Sequence, residues 1–172
     1  YGRELMQLFS VGLVQLNMNG TAKRDASGKL LATYSQQDVI EITRALTGWN
    51  HAEPESKRSS ANFANYEKPM VASWPNQHDT GSKTFLGKTI PAGQDAYKDL
   101  DSLVEILVTH PNTAPFVSLR LIQGMTTSDP SPAYLERVAT VFKNTKGNLT
   151  KVITAILTDP EARSADIPSK AS

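Results

Sequence analysis

The feature that most constrains this chain is a run of four short segments between Leu100 and Asp159 in which apolar residues recur every three or four positions. Leu100, Leu103, Val104 and Leu107 make the first, and His110-Pro111 ends it, because the residue before a proline is pushed out of the α region. Phe116, Val117, Leu119 and Ile122 make the second, with Asn112 as its expected N-cap and Pro115 in the first turn, where proline is tolerated. Ser131 and Pro132 open the third, which carries Leu135, Val138, Val141 and Phe142. Asn148 opens the last, where Leu149, Val152, Ile153, Ile156 and Leu157 keep the 3.6 period until Asp159-Pro160 stops it. Each segment has an apolar stripe that must be covered, so four in succession dictate helix packed on helix.

The other half is less regular. Leu5, Leu8, Phe9, Gly12 and Leu13 fall on one stripe, which predicts an amphipathic helix over the first turns, its start lying before Tyr1. Its pattern leaves Met6 and Val11 off the stripe, so these two are expected on a face that further helices would cover, with self-association as the consequence. Between Leu13 and Thr33, alternation around Asn19-Gly20 predicts a small β-hairpin. Ser35 with Asp38 three residues on reads as a capping box for a second helix, with Val39, Ile42 and Leu46 inward, Gly48 at its C′ position and Trp49 folding back. Residues 50–94 hold no sustained period and four prolines; a loop this long is usually functional or partly disordered. Within it, Lys83–Ile90 has the pattern of a short hairpin pivoting at Gly87. The expected fold is therefore mostly α: an irregular multi-helix domain over residues 1–163, with one small β-hairpin, a long irregular loop and a flexible tail at 164–172.

Charge and composition exclude several functions. Eighteen basic residues nearly cancel seventeen acidic ones, which gives no electrostatic reason for nucleic acid as a partner. The chain has no cysteine, so disulfides, thiolate catalysis and Cys-ligated metals are ruled out. No apolar run approaches the roughly 20 residues that span a bilayer. His51, His78 and His110 have no metal-ligand spacing, and Gly-x-Ser-x-Gly, Walker A and dinucleotide fingerprints are missing, so no metal and no cofactor are expected. His110 before Pro111 reads as a helix-end residue favoured by the helix dipole.

What chemistry remains gathers in a few places. His78-Asp79 sets an imidazole beside a carboxylate, suited to acid-base work, although Asp79-Thr80-Gly81 also reads as a simple Asx turn. Arg3-Glu4 puts a carboxylate at the margin of an apolar stripe, either as a tuned group or as an ion-pair partner of Arg44. Trp49 and Trp74 are candidates for stacking on a sugar or peptide, Trp49 being the more core-like. The candidate cluster is Arg3, Glu4, Arg44, Trp49, His78 and Asp79, expected where the His78–Gly87 segment meets the first two helices.

Several strings together, RELMQLFSVGL (3–13), LNMNGTAKRDASGKLLATYSQQDV (16–39) running into RALTGW (44–49), HDTGSKTFLG (78–87), HPNTAPFVSLRLIQ (110–123) and TSDPSPAYLERVATVF (127–142), resemble the bacterial domain-of-unknown-function 1800 family. Gly124, where that family commonly has a larger basic residue, departs from the pattern. The resemblance implies a central-to-C-terminal portion of a longer, exported protein, periplasmic or at the cell surface, and carries no established reaction. Two functions follow as expectations: a secreted helical module that binds another protein or a surface polymer, or a hydrolase-like enzyme built on Glu4, His78 and Asp79.

Overall fold

A computed structural model describes residues 1–52, 68–72 and 75–164. Trp74, the whole of the polar Glu53–Asn65 stretch and the 165–172 tail lie outside the described residues. About half the chain is helical. In order, the elements are α1 (Gly2–Gln7), α2 (Gln36–Ala45), a 3₁₀ turn (Pro75–Gln77), β1 (Lys83–Phe85), β2 (Lys88–Ile90), α3 (Ala96–Thr109), α4 (Thr113–Met125), α5 (Pro132–Asn144), α6 (Leu149–Thr158) and α7 (Pro160–Arg163). The fold is thus mostly α with one small antiparallel hairpin. Two compact units divide it: a first made of Tyr1–Arg3 and Ser35–Glu105, and a second made of Glu4–Tyr34 and Ile106–Ser172.

In the first unit, α2 starts where the sequence says it should. Ser35 is extended, its hydroxyl accepts the Asp38 amide at 3.3 Å, and the Asp38 carboxylate accepts the Ser35 amide at 2.7 Å. The helix closes at Leu46, with Gly48 at φ 85° one residue further out than expected. Ile42 and Ala45 are its buried residues, and β1 packs against it. The Lys83–Ile90 hairpin forms as expected, with Lys83 opposite Ile90 and Phe85 opposite Lys88. Its two tip residues, Leu86 and Gly87, both have positive φ, as a two-residue hairpin turn with native twist requires. Leucine is a poor residue for that conformation, and Asp38 holds it there by accepting the Leu86 amide at 2.7 Å. Glu41, one helical turn on, accepts the Thr84 amide at 3.1 Å. Helix carboxylates thereby satisfy amides that a two-stranded sheet would leave open.

The second unit is an apolar bundle. Ala114, Ile122, Tyr134, Leu135, Val138, Phe142, Val152 and Ile156 form its core, from α4, α5 and α6. Each large side chain of that set contributes about 1.5–3 kcal/mol by leaving water. Tyr134 is fully buried, and its hydroxyl donates to the Ile156 carbonyl at 2.8 Å. Ser131 and Asn148 cap α5 and α6 as expected, accepting the Tyr134 and Lys151 amides. Asp159 ends α6 and at once caps α7, while Arg137 grips it through two contacts of 2.8 Å.

Three local expectations give way here. Helix α1 stops at Gln7, because Val11 and Gly12 both donate to the Met6 carbonyl, the Ser10 hydroxyl donates to Leu5, and Gly12 takes φ 67°. Beyond that turn the helical period no longer applies. Met6 and Val11 are fully buried, while Leu8, Phe9 and Leu13 are 53%, 70% and 54% exposed, the reverse of the stripe drawn from the sequence. Asn112 does not cap α4: its backbone is helical and its side chain makes no cap bond. Instead its amide donates to the Val11 and Val14 carbonyls at 2.6 and 2.9 Å and its oxygen accepts the Leu16 amide at 2.6 Å. Finally, residues 13–33 form no named strand but three isolated bridges, Val14–Ala32, Leu16–Ala22 and Arg24–Leu30. Asn19 and Asp25 fold its turns through their side chains, Asp25 accepting both the Ser27 and Lys29 amides.

Candidate functional site

The first unit brings three of the six candidate residues, Arg44, His78 and Asp79, into one network. Arg44, in the last turn of α2, meets Asp79 in a two-pronged pair, Nε to Oδ2 at 2.7 Å and Nη2 to Oδ1 at 3.0 Å. Its Nη1 also donates to Glu41 at 2.8 Å and to the Ser82 carbonyl at 3.1 Å. Hydrogen bonding to Arg44 draws the Asp79 carboxyl down to about 2, and Asp79 in turn raises the guanidinium further above its ordinary value. Asp79 also accepts the Gly81 amide at 2.9 Å, so the Asx turn is present alongside the ion pair. A side-chain carbon on Gly81 would lie 2.7 Å from Arg44 Nη2 and 3.1 Å from Asp79 Oδ1, so a larger residue there would press on the ion pair.

Behind this pair lies a set of buried charges. His78 is 2% exposed by its side chain, Lys83 is 1% and Asp99 is 0%. His78 Nδ1 lies 2.9 Å from the Thr47 carbonyl and Nε2 lies 3.1 Å from Asp99 Oδ2. Since a carbonyl can only accept, Nδ1 is the ring nitrogen that donates here. Lys83 donates to the carbonyls of Asp79 and Gly81, and its ammonium also lies 2.7 Å from the same Oδ2. The two contacts to Asp99 are close in distance but off the line of a good hydrogen bond: neither Asp99 oxygen nor His78 Nε2 has an aligned partner among the described residues. At this buried position the ammonium of Lys83, rather than a directed hydrogen bond, is what attracts Asp99.

The remaining candidates separate. Trp49 stands edge-on to Tyr97, ring centres 4.9 Å apart, as part of the first unit's packing rather than as an open stacking platform. Arg3 donates to Gln36 at 2.6 Å on the surface. Glu4 is exposed and belongs to the second unit. His51 is exposed. His110 is half-buried just past α3, and burial lowers its pKa, the opposite of the shift a helix dipole would give. Its Nδ1 accepts the Asn112 amide at 3.2 Å.

Two members of the network, Lys83 and Asp99, were not among the sequence candidates. The signal for Asp99 was available: Ala96, Asp99, Leu103 and Leu107 share one helical face and all are buried. A carboxylate on a core stripe demands a cation, and Lys83 supplies it from the inward positions of β1, which it shares with Phe85.

No helix among the described residues is long and apolar enough to cross a membrane, and no group of three or more His, Asp or Glu among them is placed to hold a metal ion. The class so defined is a mostly helical domain whose small hairpin is locked to a helix by buried charge. The chain belongs to the family described as "Protein of unknown function (DUF1800)", which matches residues 1–172. No curated protein and no solved structure matches it.

Proposed function

We propose that this domain is an exported binding module, engaging a surface polymer or a partner protein, and that the charged cluster around His78 organises the fold instead of performing a reaction. The observation that carries this reading is that the cluster is spent on itself. His78 Nδ1 is spent on the Thr47 carbonyl and its Nε2 faces buried Asp99, Lys83 donates to two backbone carbonyls and lies 2.7 Å from Asp99, and both Asp79 oxygens are gripped by Arg44. A general acid or base must reach the substrate proton directly or through one water. His78, Lys83 and Asp99 are buried, so no substrate reaches them. What stays open is a cleft in the second unit, of a size that suits a small ligand or one repeat of a polymer.

The test is a comparison of His78→Gln with wild type. A structural role predicts lost stability and unchanged binding once the variant is folded at low temperature. Turnover of any ester, amide or glycoside panel that His78→Gln abolishes while leaving the melting curve unmoved would overturn the reading. Export rests on the family resemblance, and cell fractionation of the native producer checks it: cytoplasmic protein would remove that part.

A further inference from the structure

We infer that the cleft in the second unit is a binding site for a phosphate monoester carried on an apolar body. This rests on the binding-module reading and gives it a ligand class. The cleft encloses about 450 Å³. Its apolar lining comes from Leu16, Met18, Val108 and Ala114. Around these stand Lys23, Lys143 and Lys146, and no carboxylate lines the cleft at all. In a chain whose charges nearly balance, three lysines with no acidic neighbour in one concavity are a local excess of positive charge.

The contrast with the other cations sharpens the point. Arg44, Lys83 and Arg137 are each tied to carboxylates. No hydrogen bond or ion pair among the described residues engages the ammonium groups of Lys23, Lys143 or Lys146. They are charges without an internal partner. His110 adds a donor: its Nδ1 accepts the Asn112 amide, so a neutral ring carries its proton on Nε2. Lysines act on phosphate as point charges, whereas a planar carboxylate is better matched by the fork of an arginine, and no arginine lines the cleft. Three ammonium groups also suit a group carrying close to two negative charges better than one carrying a single charge.

The site is built in advance. Asn112 fixes the backbone at Val14 and Leu16, which sets one wall. On the other side Lys146 has φ 49° and Gly147 φ 74°, a left-handed pair between α5 and α6. Glycine or asparagine would meet that geometry at Lys146 with less strain, so the lysine is kept there against backbone preference. The Gly147 amide donates to the Phe142 carbonyl at 2.9 Å, and an added side-chain carbon at Gly147 would lie 3.1 Å from the Phe142 ring. Lys146 is thereby held at the cleft by a turn with little freedom.

The experiment is a ¹⁵N-amide titration of the full chain with phenyl phosphate, inorganic phosphate, benzoate, benzyl alcohol and a neutral disaccharide. Phenyl phosphate should shift the Leu16, Met18, Val108 and Lys146 amides saturably, and at least about tenfold more tightly than any other probe, a tenfold step being what one good charge-assisted contact supplies. Lys146→Asn, which suits the left-handed turn, combined with Lys143→Met should weaken it by about tenfold or more with the remaining spectrum unchanged. If that double variant does not fold, Lys23→Met should show the same loss, on a residue outside the turn. Equal binding of benzyl alcohol or of inorganic phosphate, or unchanged binding by the lysine variants, would overturn the phosphate assignment. Shifts of the same amides with the disaccharide alone would overturn it too, while leaving the binding-module reading in place. Silence of these amides to every probe would count against both.

Discussion

The two units bury opposite kinds of chemistry. At the centre of the second lie Tyr134, Val138, Val152 and Ile156, fully buried and held by contact and by loss of water. In the first, Ile42, Phe85, Ile90 and Leu103 are buried as well, but beside Lys83 and Asp99, with His78 almost as inaccessible. Apolar burial is graded: removing a methyl group costs what that methyl group contributed, plus the space it leaves. A buried ion set is closer to all or none, since each charge was taken out of water on the condition that the others came too. One unit should therefore tolerate small insults roughly in proportion, and the other should fail when any one partner is missing.

That contrast can be broken in a definite order. Asp99→Ala leaves Lys83 and His78 without their shared carboxylate and should cost about 3–5 kcal/mol, read from urea unfolding followed by circular dichroism. A loss below about 1 kcal/mol would mean that water already reaches the set, and the contrast would fall. Ile156→Ala in the apolar core should cost about 2–5 kcal/mol, most of it recovered in Ile156→Val. No such intermediate exists for Asp99: Asp99→Asn should remain close to Asp99→Ala, because an amide keeps the shape without the charge. The sharpest version replaces all three charges at once, His78→Leu, Lys83→Met and Asp99→Leu. That variant should lie within about 1–2 kcal/mol of wild type or above it, far from the single mutant.

Acid should weaken the protein in two steps of the same sign. Burial lowers the His110 pKa from 6.5, so the unfolded chain takes up a proton first, and stability falls as pH drops below 6.5. Asp79 is drawn from 3.8 to about 2 by Arg44, and its contribution is present above 3.8 and lost as pH falls toward 2. Urea midpoints from pH 8 down to pH 2 should fall throughout, never rising; Arg44→Gln should flatten the lower step and spare the upper one. The smallest expected effect is Asn148→Ala, which removes the cap of α6 for about 1 kcal/mol, whereas Asn112→Ala should cost more despite being the less convincing cap in sequence.

How much could be read in advance follows the range of the interaction. The Ser35, Ser131 and Asn148 caps, the Leu86-Gly87 hairpin and the stripe of α5 depend on residues within a few positions of each other and stand as the sequence implied, while the α6 stripe narrows to Val152 and Ile156, with Leu149 and Leu157 exposed. Asn112 defeats that logic because its partners, Val11, Val14 and Leu16, lie about a hundred positions away in the chain. Met6 and Val11 defeat it because Gly12 ends the helix by a backbone turn whose geometry is not written in hydrophobic spacing. In the candidate cluster, Arg44 and Asp79 were found from their neighbours in sequence, while Lys83 and Asp99 were hidden inside a strand and a stripe that looked merely structural. A charged residue on an otherwise apolar face was the clue, and it carried more information than the exposed charges did.

The same Asn112 contacts bear on how the chain is made. Residues 4–34 and 106–172 belong to one unit, and residues 35–105 form most of the other, inserted between them. Ribosomes add about 5–20 residues each second, and domains tend to fold as they emerge. The inserted unit can therefore complete itself while the opening segment still waits for α4. During that interval of several seconds the Val11 and Val14 carbonyls and the Leu16 amide have only water, or a chaperone, to bond. A circular permutant that joins residues 4–34 directly to 106–164 would end the wait, and faster refolding of that segment set is the kinetic signature this nesting leaves behind.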